Sequence, residues 1–180
     1  AADFVKKSET FYPGEEGSEK ADYALGYKGS THDTNSVSNT TVYFYSSADK
    51  RASSAVDTDA MDQQLTFKGD LRTAEAALPY AGVVNHRYTA AGTTYDLDTR
   101  TYFIGTAGEE KASYSFKYWT DSANARVVKE TTVYTYGNAA QMIESAVYRG
   151  NAVASATNNV PALVGSPVYK SRTFYTGAES

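Results

Sequence analysis

Over short stretches of this chain, large apolar residues fall at every second position with small or polar residues between them. Tyr23-Ala24-Leu25-Gly26-Tyr27 is one such stretch and Tyr114-Ser115-Phe116-Lys117-Tyr118 is another. A period of two sends one set of side chains into a core and the other into water, as in antiparallel strands. Val42-Tyr43-Phe44-Tyr45 and Val133-Tyr134-Thr135-Tyr136 read as further strands. So do residues 9–12, 65–68, 86–90, 93–104, 146–149 and 168–175. Pro13-Gly14 and Ala91-Gly92 punctuate them as turns. Two stretches predict short helical connections. Residues 70–78 carry Asp70 as an N-cap, an Ala-rich body and Pro79 as a stop, and residues 51–64, with 138–144 as a shortened counterpart, form a helical turn or loop. Closely spaced strands with turn signals between them predict an all-β fold, a sandwich or meander.

The pattern also repeats. Residues 10–45 align without gaps on residues 101–136 at an offset of 91, with fourteen of 36 pairs identical. Gly14/Gly105, Glu19/Glu110, Lys20/Lys111, Tyr23/Tyr114 and Tyr27/Tyr118 are among them, and Thr40-Thr41-Val42-Tyr43 recurs as Thr131-Thr132-Val133-Tyr134. After a ten-residue deletion the match resumes at an offset of 81, where Phe67-Lys68-Gly69 pairs with Tyr148-Arg149-Gly150 and Met61 with Met142. Lys170 to Gly177 echoes Lys7 to Gly14 at an offset of 163. Self-similarity of this kind predicts repeated structural modules. The expected division is module 1 over 1–92, module 2 over 93–169, and the first strand of a third repeat over 170–180. In that last strand Arg172, Thr173, Phe174 and Tyr175 are expected to extend into a neighbouring unit, because a lone strand needs a partner for its backbone groups.

Composition sharpens the picture. Sixteen Tyr and seven Phe carry much of the apolar area in 180 residues, which suits pleated, half-buried surfaces. Net charge is −4 with acids and bases interspersed, so no basic stripe meets phosphates and nucleic acid is not an expected partner. No run approaches the length of an apolar membrane span. There is no cysteine, which excludes disulfides and thiol chemistry.

Candidate chemistry is sparse. The two histidines, His32 in a polar loop and His86 at a strand start, have no nucleophile elbow or HExxH motif beside them and read as surface residues. Asp57, Asp59 and Asp62 offer oxygen ligands but lack the spacing of a calcium loop, and Asp96 and Asp98 read as solvated carboxylates on one strand face. Glu15-Glu16-Gly17-Ser18-Glu19-Lys20 reads as a charged turn, and its partial repetition as Gly108-Glu109-Glu110-Lys111 reads as a polar hairpin or an inter-module contact. Asn39-Thr40-Thr41 is a glycosylation sequon, relevant to a secreted chain. No catalytic residue, metal ligand or cofactor is expected.

The words Thr-Val-Tyr-Phe-Tyr at 41–45, Gly-Glu-Glu-Lys-Ala at 108–112 and Arg-Thr-Tyr-Phe at 100–103 resemble the Tyr/Thr-rich tandem β-repeats of very long bacterial surface proteins. A weaker similarity, carried by Phe67-Lys68-Gly69-Asp70 and Tyr148-Arg149-Gly150-Asn151, is to the YD-repeat shells of bacterial toxins. The first resemblance implies an extracellular, repetitive and cohesive protein. The expectation is a structural subunit or repeat segment of an extracellular filament or cell-surface fibre, with copies of itself as partners. The alternative is an adhesin-type module that recognises a surface glycan or host protein.

Overall fold

The computed structural model describes residues 6–14, 16, 19–28, 37–46, 50–74, 83–138 and 140–176. It is all-β. The strands are β1 (Ser8–Phe11), β2 (Tyr23–Tyr27), β3 (Val37–Tyr45), β4 (Met61–Lys68), β5 (Val83–Val84), β6 (Arg87–Ala90), β7 (Thr93–Ile104), β8 (Lys111–Thr120), β9 (Arg126–Tyr136), β10 (Met142–Arg149), β11 (Val153–Thr157), β12 (Val160–Leu163) and β13 (Tyr169–Phe174). One antiparallel sheet carries nine of them in the order β1-β2-β3-β4-β7-β8-β9-β10-β13, with β5 and β6 attached beside β7. β11 and β12 form a separate two-stranded ribbon.

The alternation read from the sequence sets which face is dry. Val42, Phe44, Leu65, Phe67 and Leu97 are fully buried on one face. Leu71 and Ala74, from the connection after β4, close over them together with Tyr88 of β6 and Tyr118 of β8. Residues on both sides of position 92/93 therefore share one core, and that position lies in the tight turn between β6 and β7. A smaller cluster of Ala146, Tyr148 and Ala152 sits at the β10 end. The opposite face carries Thr41 and Thr66, whose hydroxyls meet at 2.9 Å across β3 and β4.

The pairing register of the first half recurs in the second. Phe11 pairs with Tyr23 and Tyr23 with Val42; adding 91 gives Tyr102 paired with Tyr114 and Tyr114 with Val133. Val42 faces Leu65 as Val133 faces Ala146. Even the irregularities coincide, with a shift at Gly26/Tyr27 and another at Lys117/Tyr118. A bulge displaces side chains from the pleat and interrupts the ladder, so matched bulges keep matched faces.

The helical expectations are corrected. Residues 70–74 form no helix, 70 and 71 being irregular and 72–74 a turn, because Leu71 and Ala74 are drawn flat onto the sheet; positions 75–78 lie outside the described residues. Within 51–64 the helical part shrinks to a 3-10 turn, Ala52–Ser54, and β4 starts at Met61. The alternation of buried Gln63, Leu65 and Phe67 prevailed there over local composition. β10 likewise starts at Met142, inside the predicted loop. β5, β11 and β12 had not been expected.

Candidate assembly site at the sheet edges

β13 is where the expected assembly residues lie, and its position corrects one expectation. Rather than reaching out of the molecule, the strand pairs antiparallel with β10 of its own chain: Phe174 faces Glu144, Thr173 faces Ser145 and Arg172 faces Ala146. The chain thus satisfies one side of the strand itself, and Tyr175 continues the ladder with its amide donating to the Ile143 carbonyl at 2.9–3.0 Å spacing typical of such bonds, here 3.0 Å. The other side of β13 has no partner strand among the described residues. All six of its residues are exposed, Phe174 at 64% and Tyr169 at 50%.

Charge fastens β13 to the sheet. Arg172 Nε donates to Glu144 Oε1 at 2.6 Å, and Lys170 Nζ pairs with Glu130 on β9. The Arg172 hydrogen bond holds the Glu144 carboxyl below its usual range, and Lys170 does the same for Glu130. The Arg172 guanidinium also lies over the rings of Phe174 and Tyr169, 4.9 and 5.1 Å from their centroids. Tyr169 packs on Tyr148 at 4.7 Å, and burial, with the Tyr169 phenol beside it, pushes the Tyr148 phenol up to about 12. The Tyr175 and Ser145 hydroxyls meet at 3.2 Å.

The opposite edge is β1, bonded among the described residues to β2 alone. Phe11 stacks on Tyr23 at 4.3 Å and 14° between ring planes, and Tyr102 stacks on Tyr114 at 4.5 Å and 16°. The Tyr27 hydroxyl donates to Glu9 Oε2 at 2.8 Å, and Lys6 pairs with the same carboxylate at 2.7 Å. β1, β7 and β13 occupy corresponding places. Gln63 faces Tyr102 on β7 as Glu144 faces Phe174 on β13, and Leu65 faces Arg100 as Ala146 faces Arg172.

Between the halves, an Asn-Asn turn acts as a clasp. Asn158 and Asn159, at φ +48° and +60°, join β11 to β12, the left-handed geometry that asparagine tolerates in two-residue hairpins. The Asn159 Nδ2 donates to the Asp62 carbonyl and Oδ1 at 3.2 and 2.7 Å and to the Phe103 carbonyl at 3.0 Å. The sequence signal was the Asn-Asn pair, between Thr157 and Val160. Glu110 bridges the halves too, accepting from the Met61 amide at 2.9 Å.

The remaining candidates have structural partners. Asp59 accepts from Lys50 and the Val56 amide, Asp96 pairs with Arg87, and Asp98 with Lys117. Among the described residues no three His, Cys, Asp or Glu side chains converge as metal ligands. His86 is not on the open surface: it is half-buried against Tyr118 at 4.4 Å, and burial, then Arg100 and Arg126, lowers its pKa. His32 lies outside the described residues. Asn39 sits inside β3 facing Gly26, with its amide donating to Ser38 Oγ at 3.0 Å.

No protein-family model matches the chain, and no curated protein matches it. Among solved structures it is similar to a protein of unknown function from Bacteroides fragilis, at 10% identity and a TM-score of 0.42, over 94% of this chain and 93% of that one. No helix among the described residues is long and apolar enough to cross a membrane.

Proposed function

We propose that the chain is a structural repeat unit of an extracellular filament or cell-surface fibre, arisen by internal duplication, whose sheet is extended from copy to copy by β-strand addition. The observation that carries this reading is the register of β13 on β10, which matches that of β7 on β4 residue for residue. β7 goes on to receive β8 on its other side, and β13 presents the same kind of side to solvent. An exposed edge with an aromatic face is a template for another strand, and proteins that remain monomeric usually blunt such edges. Tyrosine suits the role because its ring buries area while its hydroxyl stays hydrogen-bonded at a wet joint. Placement outside the cell rests on the resemblance to bacterial surface repeats.

Sedimentation and electron microscopy of the purified chain test the proposal. Ribbons with strands across their axis are expected, lengthening by about 38 Å per eight strands at the usual strand spacing. A chain that stays monomeric at high concentration and binds a surface glycan would instead favour the adhesin reading.

A further inference from the structure

We infer that copies join by strand exchange, with β13 of one copy taking the place of β1 against β2 of the next. This rests on the assembly reading above and specifies its joint.

Strand direction argues first. Every pair along the nine-strand path is antiparallel, so β1 and β13 run the same way. Intact copies stacked edge to edge in one orientation would set β13 parallel to β1, the only parallel pair in the ribbon. Two corresponding strands side by side would also break the four-strand period. Each of the two lacks what the other has: β7 is held by β4 and β8, whereas among the described residues β13 has only β10 and β1 only β2. One strand standing in both places restores the β7 environment and keeps the sheet antiparallel.

The backbone agrees. The Phe11 carbonyl accepts from the Asp22 amide at 2.8 Å, and the Lys7 carbonyl from the Tyr27 amide at 2.9 Å. Their counterparts at an offset of 163 are Phe174 and Lys170. On β13 the Tyr175 amide is turned to β10. Because alternate residues of a strand face opposite neighbours, Phe174 turns its backbone groups to the open side. Exchange would stack Phe174 on Tyr23 where Phe11 now lies, and Arg172 would enter the place of Glu9, which Arg100 already fills on β7.

Charge decides which of the two strands yields. Arg172 and Lys170 match Glu144 and Glu130 beneath β13. β1 in that place would set Glu9 against Glu144, a like-charge contact. β13 therefore stays on its own sheet, and the four-residue β1, with a single neighbour strand among the described residues, is the strand displaced.

The chain has no cysteine, so an engineered pair reports the joint directly. Thr10 faces Ala24, and exchange would bring Thr173 there. Ala24→Cys combined with Thr173→Cys is expected to give an intermolecular disulfide ladder in assembled material, whereas Ala24→Cys with Thr10→Cys closes within single chains and blocks assembly. Deleting residues 1–12 is expected to lower the concentration for half-assembly by about tenfold or more, since every copy then offers a vacant β2. If ribbons form but the Ala24–Thr173 pair gives no ladder and the deletion leaves the half-assembly concentration unchanged, exchange is overturned while assembly stands. If the unmodified chain and the deletion variant both remain monomeric, the assembly reading itself fails.

Discussion

Thr40 and Thr131 make the same two hydrogen bonds in the two halves of the sheet. Thr40 Oγ1 donates to the Gly69 carbonyl at 2.9 Å and accepts from the Leu71 amide at 3.0 Å; Thr131 Oγ1 donates to the Gly150 carbonyl at 2.6 Å and accepts from the Ala152 amide at 3.0 Å. Both threonines are fully buried. Each fastens the chain leaving an inner strand back onto the sheet, where water cannot replace the bonds.

Thr40→Val and Thr131→Val keep shape but strand a buried carbonyl and a buried amide. Each is expected to lower unfolding free energy by about 1–3 kcal/mol. Thr→Ser at either position is expected to recover most of the loss. Urea unfolding followed by tyrosine fluorescence measures both, and a neutral Thr131→Val would sever the correspondence argued for the two sites.

Gly105 has φ +120°, and a Cβ there would meet the Glu109 carbonyl oxygen at 2.6 Å. Gly150 has φ +67° with nothing within 4 Å of such a Cβ. Gly150→Ala therefore carries only left-handed backbone strain, about 1 kcal/mol. Gly105→Ala adds a collision with backbone that cannot swing aside. Thermal melts are expected to rank Gly105→Ala well below Gly150→Ala, and the reverse order would overturn this account.

Much of the sheet was legible because its signal is periodic. Strands such as β2, β7 and β8 alternate large and small residues, and their ranges follow the pattern closely. The helical start expected at Asp70 rested on local propensity, which over the described residues 70–74 the burial of Leu71 overrode. β11 and β12 went unread because Val153–Thr157 and Val160–Leu163 alternate too little, their side chains being mostly exposed. The Phe174–Tyr175 edge was named from repetition alone. Repetition cannot say whether a strand pairs at home or abroad, since that depends on charges such as Glu130 and Glu144 that are distant in sequence.

Acid is expected to loosen β13. Glu144 and Glu130 are held below the ordinary carboxylate range by Arg172 and Lys170. Their contribution is present in full above the unpaired value, about pH 4.3, and is lost as pH falls through the lower folded values. The groups are partly exposed, so the effect is local and screened by salt. Amide exchange at Thr173 and Tyr175 is expected to quicken below about pH 4, and Arg172→Gln to flatten that dependence. Protection that holds unchanged to pH 2 would mean that charge does not fasten the strand.

Asn159 offers the sharpest test of how the halves are clasped. Its amide nitrogen supplies protons to three acceptors, two of them on Asp62, whose carboxyl burial raises above its usual range. Asn159→Asp keeps size and turn preference but replaces those protons with a second carboxylate. Two close carboxyls cannot both ionise freely, so one folded-state pKa rises. A raised folded pKa contributes stability at low pH that is lost as pH climbs through it. Asn159→Asp is therefore expected to cost about 1–3 kcal/mol at pH 7, where the new carboxylate faces the three part-buried acceptors, and much less near pH 4. Asn159→Gly keeps the left-handed turn and removes the donor without adding a second carboxylate; loss of that hydrogen bond raises the Asp62 folded pKa further, so its loss is also expected to grow from pH 4 to pH 7, but by less than that of Asn159→Asp. Urea midpoints at both pH values separate the two variants. If Asn159→Asp is no more pH-sensitive than Asn159→Gly, the clasp does not bear on Asp62 as the geometry indicates.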